Sequence, residues 1–216
     1  FSLSFFRTQI AEGSMLPSGK MPYEVFIPAY RDEILSDTVM VYGNVDEVEL
    51  VLNGKTIRRQ TADKGPDSDY IPVPNGGNGK NLHFPPFTFY GVPKERGVLK
   101  AVGYHQGKKV AEYTVKTPGV PERLDITYFE SGKPATKNDL LIVYVRMQDK
   151  QGVLCPVNGI PVELSVQGGE IVGPTSYPLE AGVASFLVRT GEISKININA
   201  TGKGFSTRKS LKVGKE

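Results

Sequence analysis

The chain is poor in the residues that build metal and disulfide sites: among 216 residues it has one cysteine, Cys155, two histidines and no tryptophan. A single cysteine excludes an intrachain disulfide and a thiolate metal cluster. His83 and His105 have no further histidine or cysteine at ligand spacing, whereas a zinc site needs three or four converging donors. The sequence therefore predicts no metal and no other cofactor.

Long apolar runs and helical periodicity are also missing. No run approaches the ~20 apolar residues of a membrane helix, so we expect no membrane insertion. No window of a dozen residues keeps apolar positions at helical spacing without an intervening glycine or proline, which predicts that helices are absent or single turns. Lysine and arginine number 26 against 23 acidic residues, with both signs interspersed, and this balance does not predict nucleic-acid binding.

What the chain does contain is a strand-and-turn pattern, with 24 glycines and 16 prolines between short runs rich in β-branched and aromatic residues. The stretch VDEVELVLNGKTIRRQ, residues 45–60, is typical: it predicts a hairpin that turns at Asn53-Gly54, because both residues tolerate positive φ. Glu47 and Glu49 would face water. The side chains expected to face the core are Val48, Leu50 and Leu52.

The strand pattern occurs twice, on either side of a proline-rich linker at residues 116–124. We therefore predict an all-β protein with two tandem immunoglobulin-like β-sandwich domains, residues 21–117 and 121–214, preceded by a leader at 1–20. A single β-barrel fits less well, because the proline-rich linker interrupts the strand pattern near the middle of the chain. The further strand-like runs are 23–30, 38–44, 85–93, 97–104, 109–115, 124–128, 140–147, 160–166, 170–173, 183–189 and 195–200, with short turns at 105–108, 149–152 and 167–170.

The chain begins at Phe1 without methionine, and we expect it to be part of a longer protein. Phe5 and Phe6 stand in a leader too short to fold alone. They are expected to belong to the end of a preceding domain.

The acidic and glycine-rich segments do not match the motifs of cation-binding, phosphate-binding or nucleophilic sites. Asp63, Asp67 and Asp69 precede NGGNGK at 75–80, but the alternating carboxylates, central glycine and closing glutamate of an EF-hand loop are missing. A solvated hairpin insertion is expected there, with a bound cation as the alternative. The glycine-rich segment also lacks the spacing of a phosphate loop, and no G-x-S-x-G elbow occurs. No catalytic, cofactor-binding or metal-binding residue is assigned.

Tyrosines are the one group that suggests a ligand, because the apolar face of a sugar ring packs on an aromatic ring. Tyrosines on strands are more often half-buried packing residues, and a carbohydrate-binding face remains the alternative. The tyrosines considered are Tyr23, Tyr30, Tyr42, Tyr90, Tyr104 and Tyr144.

Two segments carry a specific resemblance: VYGNVDEVELVLNGK at 41–55 and PPFTFYGVPKERGVLKAVGYHQGKKVAEYTVKTPGVPERL at 85–124. They resemble the C-terminal β-sandwich of bacterial family 2 glycoside hydrolases, the β-galactosidase and β-glucuronidase group. Residues 121–213 are similar to the immunoglobulin-like domain that often follows, and FFRTQ resembles the end of the last helix of the catalytic barrel. Gly43, Val51 and the loop at 75–79 depart from the family pattern.

The resemblance implies a noncatalytic, accessory region beside a catalytic barrel. Family 2 enzymes are retaining glycosidases whose two glutamates, roughly 5 Å apart, come from that barrel, and no glutamate of this chain matches their motifs. The implied partner is the barrel of the parent enzyme. The alternative is a carbohydrate-binding module that anchors the enzyme on a polysaccharide. For the parent enzyme we expect a periplasmic or secreted location.

Overall fold

The computed structural model describes residues 2–17, 19–28, 37–63, 82–129 and 134–214. The chain divides into two compact units, Phe1–Thr117 and Pro118–Glu216. Both are built almost wholly of antiparallel strands, which confirms the all-β prediction of tandem sandwiches. Tyr30, Asp67, Asp69 and the loop at 75–79 lie outside the described residues.

The first unit begins with a short helix and continues as two sheets. Its sheets have the strand orders β3-β4-β7 and β6-β5-β8-β9, with a separate hairpin β1-β2. Its elements are α1 (Ser2–Arg7), β1 (Met15–Leu16), β2 (Gly19–Lys20), β3 (Val25–Phe26), β4 (Val39–Gly43), β5 (Glu47–Leu52), β6 (Lys55–Thr61), β7 (Phe87–Phe89), β8 (Val98–His105) and β9 (Lys108–Lys116).

The β5–β6 hairpin has the predicted geometry. Asn53 and Gly54 have φ of 51° and 80°, as the turn requires. Along β5 every second residue is buried, so one face of the strand lies in the core and the other does not. The core of this unit is formed by Val25, Ile27, Val39, Val41, Val45, Val48, Leu50, Leu52, Phe87, Phe89, Val92, Leu99 and Ala101.

Gly43 marks the close approach of β3 to β4, where it pairs with Val25. A Cβ at this position would lie 2.9 Å from the backbone oxygen of Glu24 and 2.9 Å from Cγ1 of Val25. Real Cβ atoms avoid such distances, so a serine would push β3 away.

The second unit consists of two four-stranded sheets with orders β10-β11-β15-β13 and β14-β12-β16-β17. Its strands are β10 (Arg123–Phe129), β11 (Leu140–Gln148), β12 (Pro161–Gln167), β13 (Gly169–Ile171), β14 (Ser176–Pro178), β15 (Val183–Thr190), β16 (Lys195–Gly202) and β17 (Phe205–Lys212). The largest side chains buried between the sheets are Ile126, Met147, Phe186, Leu179, Ile196 and Ile198.

Some elements were not predicted. α1 has six residues and so exceeds a single turn. β14 and β17 were also missed, since β14 is exposed throughout and β17 is largely exposed, so neither shows a continuous apolar alternation. Among the described residues, none of the helical segments is long and apolar enough to cross a membrane.

Asp149 is the main buried charge of the second unit. Its Oδ2 accepts the N–H of Gly119 at 2.7 Å and its Oδ1 accepts the N–H of Val153 at 2.8 Å. Burial by itself raises the pKa of this carboxyl, but the surrounding backbone N–H donors prevail and hold the pKa below its ordinary value. The ionised carboxylate thereby ties the start of the unit to the turn after β11.

Beside this turn lies Cys155, buried with its Sγ 3.7 Å from the backbone oxygens of Gly119 and Val153. Burial first, and then the nearby charge of Asp149, raises the pKa of the Cys155 thiol.

The lowered pKa of Asp149 predicts a pH-dependent contribution to the stability of the second unit. A carboxyl with a folded pKa below its unfolded value of about 3.9 stabilises the fold at neutral pH, and this contribution is lost as the pH falls through the folded pKa. Asp149→Asn should lower the free energy of unfolding by about 1 to 3 kcal/mol at pH 7 and much less near pH 2.

The measurement is urea unfolding at both pH values. NMR amide signals of β11 monitor it, so that the free energy of unfolding is that of the second unit alone. Glu163→Gln, at an exposed position on β12, is the matched control and should change little at either pH. A cost for Asp149→Asn that is the same at both pH values would contradict the assignment.

Candidate functional site

The leader is fixed to the first sandwich by polar contacts at the C-terminal end of α1. Nε of Arg7 donates to both carboxylate oxygens of Glu24, at 2.9 and 3.0 Å, and Nη2 donates to the same group. The side-chain amide of Gln9 donates to the backbone oxygen of Phe84 and accepts its N–H, each at 3.1 Å. Thr8 between them is fully buried. The leader is thus part of the first unit, while its assignment to the end of a barrel stays a prediction.

The centre of this attachment is Asn44, directly after β4. Its Oδ1 accepts the N–H of Glu24 at 2.6 Å, and its Nδ2 donates to the backbone oxygens of Ile10 and Pro22, both at 3.0 Å. A buried amide with its acceptor and both donors used holds three chain segments together. Sequence analysis missed this role, although Asn44 lies inside the VYGN motif of the resemblance.

The two leader phenylalanines have different surroundings. Phe5 packs edge-on against Tyr42, with ring centroids 5.0 Å apart. Phe6 is 64% exposed, and Leu3, three residues earlier on α1, is 75% exposed. Since residues three apart share a helix face, Leu3 and Phe6 form one outward apolar edge of α1.

The two histidines lie in different surroundings. Nδ1 of His105 is 3.1 Å from Oδ1 of Asp46, and its ring stacks on Tyr23 at 4.9 Å. Asp46 also accepts the N–H of Gln106, and this hydrogen bond is the main reason that its pKa is lowered. His83 contacts Phe84. In the described part of the chain, no cluster of three His, Cys, Asp or Glu side chains could hold a metal ion.

The outward face of the sheet β6-β5-β8-β9 carries a linked polar cluster. Arg59 pairs with Glu47 and lies over the ring of Tyr104, with Cζ 3.8 Å from the ring centroid. The Tyr104 hydroxyl donates to Oε2 of Glu49 at 2.7 Å, and Thr56 donates to Oε1 at 2.7 Å. Alternation along β5 places both glutamates on the outward face.

The surroundings of Glu49 do not suit a general acid. The hydrogen bonds from Thr56 and then Tyr104 lower the pKa of Glu49, whereas a general acid needs a pKa raised toward neutrality. The hydrogen bond to Glu49 also raises the pKa of Tyr104. The side chains of this cluster therefore satisfy one another's charges and hydrogen bonds at the surface of the sheet.

The tyrosines do not assemble into one platform. Tyr104 is covered on one face by Arg59, and Tyr42 donates its hydroxyl to the sulfur of Met40 at 2.8 Å. Tyr90 is 48% exposed, and Tyr144 lies in the second unit, half-buried on β11. Among the described tyrosines of the predicted set, Tyr104 lines an open depression of about 430 Å³ on the outward face of its sheet, and Tyr23 lines a cleft together with a second tyrosine.

This cleft, of about 340 Å³, lies in the first unit between α1, the chain entering β3, and β9. Its aromatic wall contains Tyr23 and Tyr113, and Tyr113 packs edge-on against the buried Phe26 at 5.3 Å. Its polar wall contains the Arg7–Glu24 pair and Glu112. Sequence analysis did not single out Tyr113, whose place beside Tyr23 depends on the pairing of the strands.

Comparison with known proteins gives matches in sequence and in structure. Residues 36–111 match the family described as "Domain of unknown function (DUF4982)". The chain is 28% identical over 202 residues to a β-galactosidase of Thermoanaerobacter pseudethanolicus, which covers 88% of this chain and 25% of that enzyme. It is 32% identical over 133 residues to β-galactosidase BoGH2A of Bacteroides ovatus, covering 61% of this chain and 13% of the enzyme.

The fold is found in solved glycosidases. A β-glycosidase from Bacteroides vulgatus superposes with a TM-score of 0.70 at 17% identity, over 89% of this chain and 25% of its own. A family 2 β-glucuronidase superposes with a TM-score of 0.71 at 21% identity, over 90% of this chain and 20% of its own.

The chain is similar in sequence to β-galactosidases, the group that the resemblance indicated, and it shares its fold with solved family 2 glycosidases. It spans about a quarter of the length of the Thermoanaerobacter relative.

Removing the amide of Asn44 should free the leader. Asn44→Ala leaves the N–H of Glu24 and the backbone oxygens of Ile10 and Pro22 without their partner, at a cost of about 2 to 4 kcal/mol in the first unit. Trypsin cleavage after Arg7 in the folded protein measures the release, and it should become faster. Asn44→Asp keeps one acceptor but places a second carboxylate oxygen against the backbone oxygens of Ile10 and Pro22, so it should release the leader at least as much as Asn44→Ala.

Asn199→Ala, in the second unit, is the control and should leave cleavage after Arg7 unchanged. Equal protection of Arg7 in Asn44→Ala and in the unaltered protein would contradict the role of Asn44.

The hydroxyl of Tyr104 is expected to control the ionisation of Glu49. Tyr104→Phe removes one of the two hydrogen bonds that favour the carboxylate, so the pKa of Glu49 should rise toward its ordinary value. NMR titration of the Glu49 side-chain carboxyl carbon measures this change. Tyr144→Phe is the matched control, and an unshifted Glu49 titration in Tyr104→Phe would show that the bond has no such effect.

Proposed function

We propose that this chain is the noncatalytic C-terminal region of a family 2 glycoside hydrolase, with a structural role beside a catalytic barrel. The observation that carries the proposal is the unequal coverage: the match takes in 88% of this chain and only 25% of the Thermoanaerobacter β-galactosidase. The parent protein is then a retaining glycosidase acting on a β-linked galactoside or glucuronide. Its catalytic carboxylates belong to the barrel.

The outward edge of α1 supports a barrel as the partner. Leu3 and Phe6 are exposed on a helix that Arg7, Gln9 and the Asn44 contacts hold in place. An apolar edge on a fixed segment suits a permanent contact with a neighbouring domain. We propose that this edge packs against the barrel, so that the leader couples the barrel to the sandwich.

The remaining parts of the proposal concern the setting of the parent enzyme. A net charge of +3 with interspersed signs gives no support to a nucleic-acid partner. A periplasmic or secreted location suits a glycosidase that meets its substrate outside the cytoplasm.

The sequence encoded before Phe1 tests the proposal. We expect a (β/α)8 barrel with two catalytic glutamates there, and we expect residues 1–216 alone not to hydrolyse nitrophenyl β-galactoside or β-glucuronide. In the longer enzyme, Leu3→Asp with Phe6→Asp should lower the unfolding temperature of the barrel and its activity. Ile193→Asp, half exposed in the second unit, is the control.

A longer gene without a barrel would overturn the proposal, as would turnover by residues 1–216 that survives repurification. If the double aspartate variant keeps the stability and activity of the unaltered enzyme, the proposal that α1 packs against the barrel is wrong.

A further inference from the structure

The cleft between α1, β3 and β9 has the volume of a small ligand site. Its 340 Å³ falls at the lower end of the roughly 300 to 1,000 Å³ typical of pockets for small molecules. It is bounded by three separate segments of the first unit, one of which is the fixed leader.

The two tyrosines of the cleft are held in position by other rings. Tyr113 is supported by Phe26, which is buried, and Tyr23 is supported by the stacked ring of His105. Both tyrosines are themselves only partly buried. A ring fixed from behind gives a stacking surface that loses little conformational entropy when a ligand binds.

Hydrogen-bonding groups face the same space. Arg7 uses its Nε–H and one Nη2–H for Glu24, out of five N–H donors. Glu112 accepts from Lys109 at 2.6 Å through Oε2, and its second oxygen has further acceptor capacity. Donors of a guanidinium and acceptors of two carboxylates together match adjacent hydroxyl groups, which both donate and accept.

The charges of the cleft select against an ionic ligand. Arg7 is paired with Glu24, and Glu112 is paired with Lys109 and lies 3.7 Å from Lys100. Each charge on the wall therefore has a partner of opposite sign, and an anionic sugar would meet two carboxylates without an unpaired cation.

We propose that this cleft binds one or two residues of a neutral glycan, which stack on Tyr23 and Tyr113 and hydrogen-bond to Arg7, Glu24 and Glu112. The inference rests on the proposed function for the choice of sugar, a β-galactoside. It adds a carbohydrate-binding site, at the junction of leader and sandwich, to a region whose proposed role is structural.

The test uses residues 1–216 with galactose and β-linked galactobiose, titrated to about 10 mM and followed by NMR. Galactobiose should shift signals of Tyr23 and Tyr113, and galacturonic acid should bind at least tenfold more weakly. Tyr113→Leu keeps an apolar contact with Phe26 but loses the ring, and it should weaken galactobiose binding about tenfold. Tyr113→Phe should stay within about twofold of the unaltered protein.

Tyr90→Leu, an exposed tyrosine outside the cleft, is the matched control and should bind normally. Absence of binding by either neutral sugar overturns the inference, and so does binding that a folded Tyr113→Leu variant leaves unchanged. Equal binding of galacturonic acid overturns the selection for neutral sugars. None of these outcomes bears on whether a barrel is encoded upstream, so the two proposals fail separately.

Discussion

The arrangement of the first unit depends on the hydrogen bonds of one buried amide. Asn44 connects the leader at Ile10, the chain before β3 at Pro22 and Glu24, and the end of β4. A hydrophobic contact is not directional and would allow the segments to shift along one another. Three hydrogen bonds from one rigid amide are directional and therefore fix the relative positions of the three segments. The exposed edge of α1 and the cleft beside it both exist because the leader is held at this point.

Two other carboxylates are stabilised in their charged form by neutral hydrogen-bond donors. Glu49 is stabilised as a carboxylate by Thr56 and Tyr104, and Asp149 by backbone N–H groups. A carboxyl that acts as a general acid requires the opposite treatment, in which desolvation or a like charge raises the pKa. The cores between the sheets are filled with apolar side chains, so the carboxylates of the described residues lie at surfaces and turns.

The strands β5, β11 and β15 were predictable from the sequence because one face of each is buried and the alternation is regular. The turn at Asn53-Gly54 was predictable from local backbone preference alone. β14 and β17 carry too little buried surface to leave that signal. The cleft could not be predicted, because Tyr23 and Tyr113 are ninety residues apart in the chain and meet only through the packing of β3 and β9.

The single thiol of the protein lies in the interior of the second unit, against the backbone of Gly119 and Val153. Its reactive thiolate form is suppressed by burial and by the neighbouring Asp149. An alkylating reagent can therefore reach Cys155 only when this sandwich opens. The rate of labelling gives a direct reading of how often the second unit opens, with no contribution from the first, which contains no cysteine.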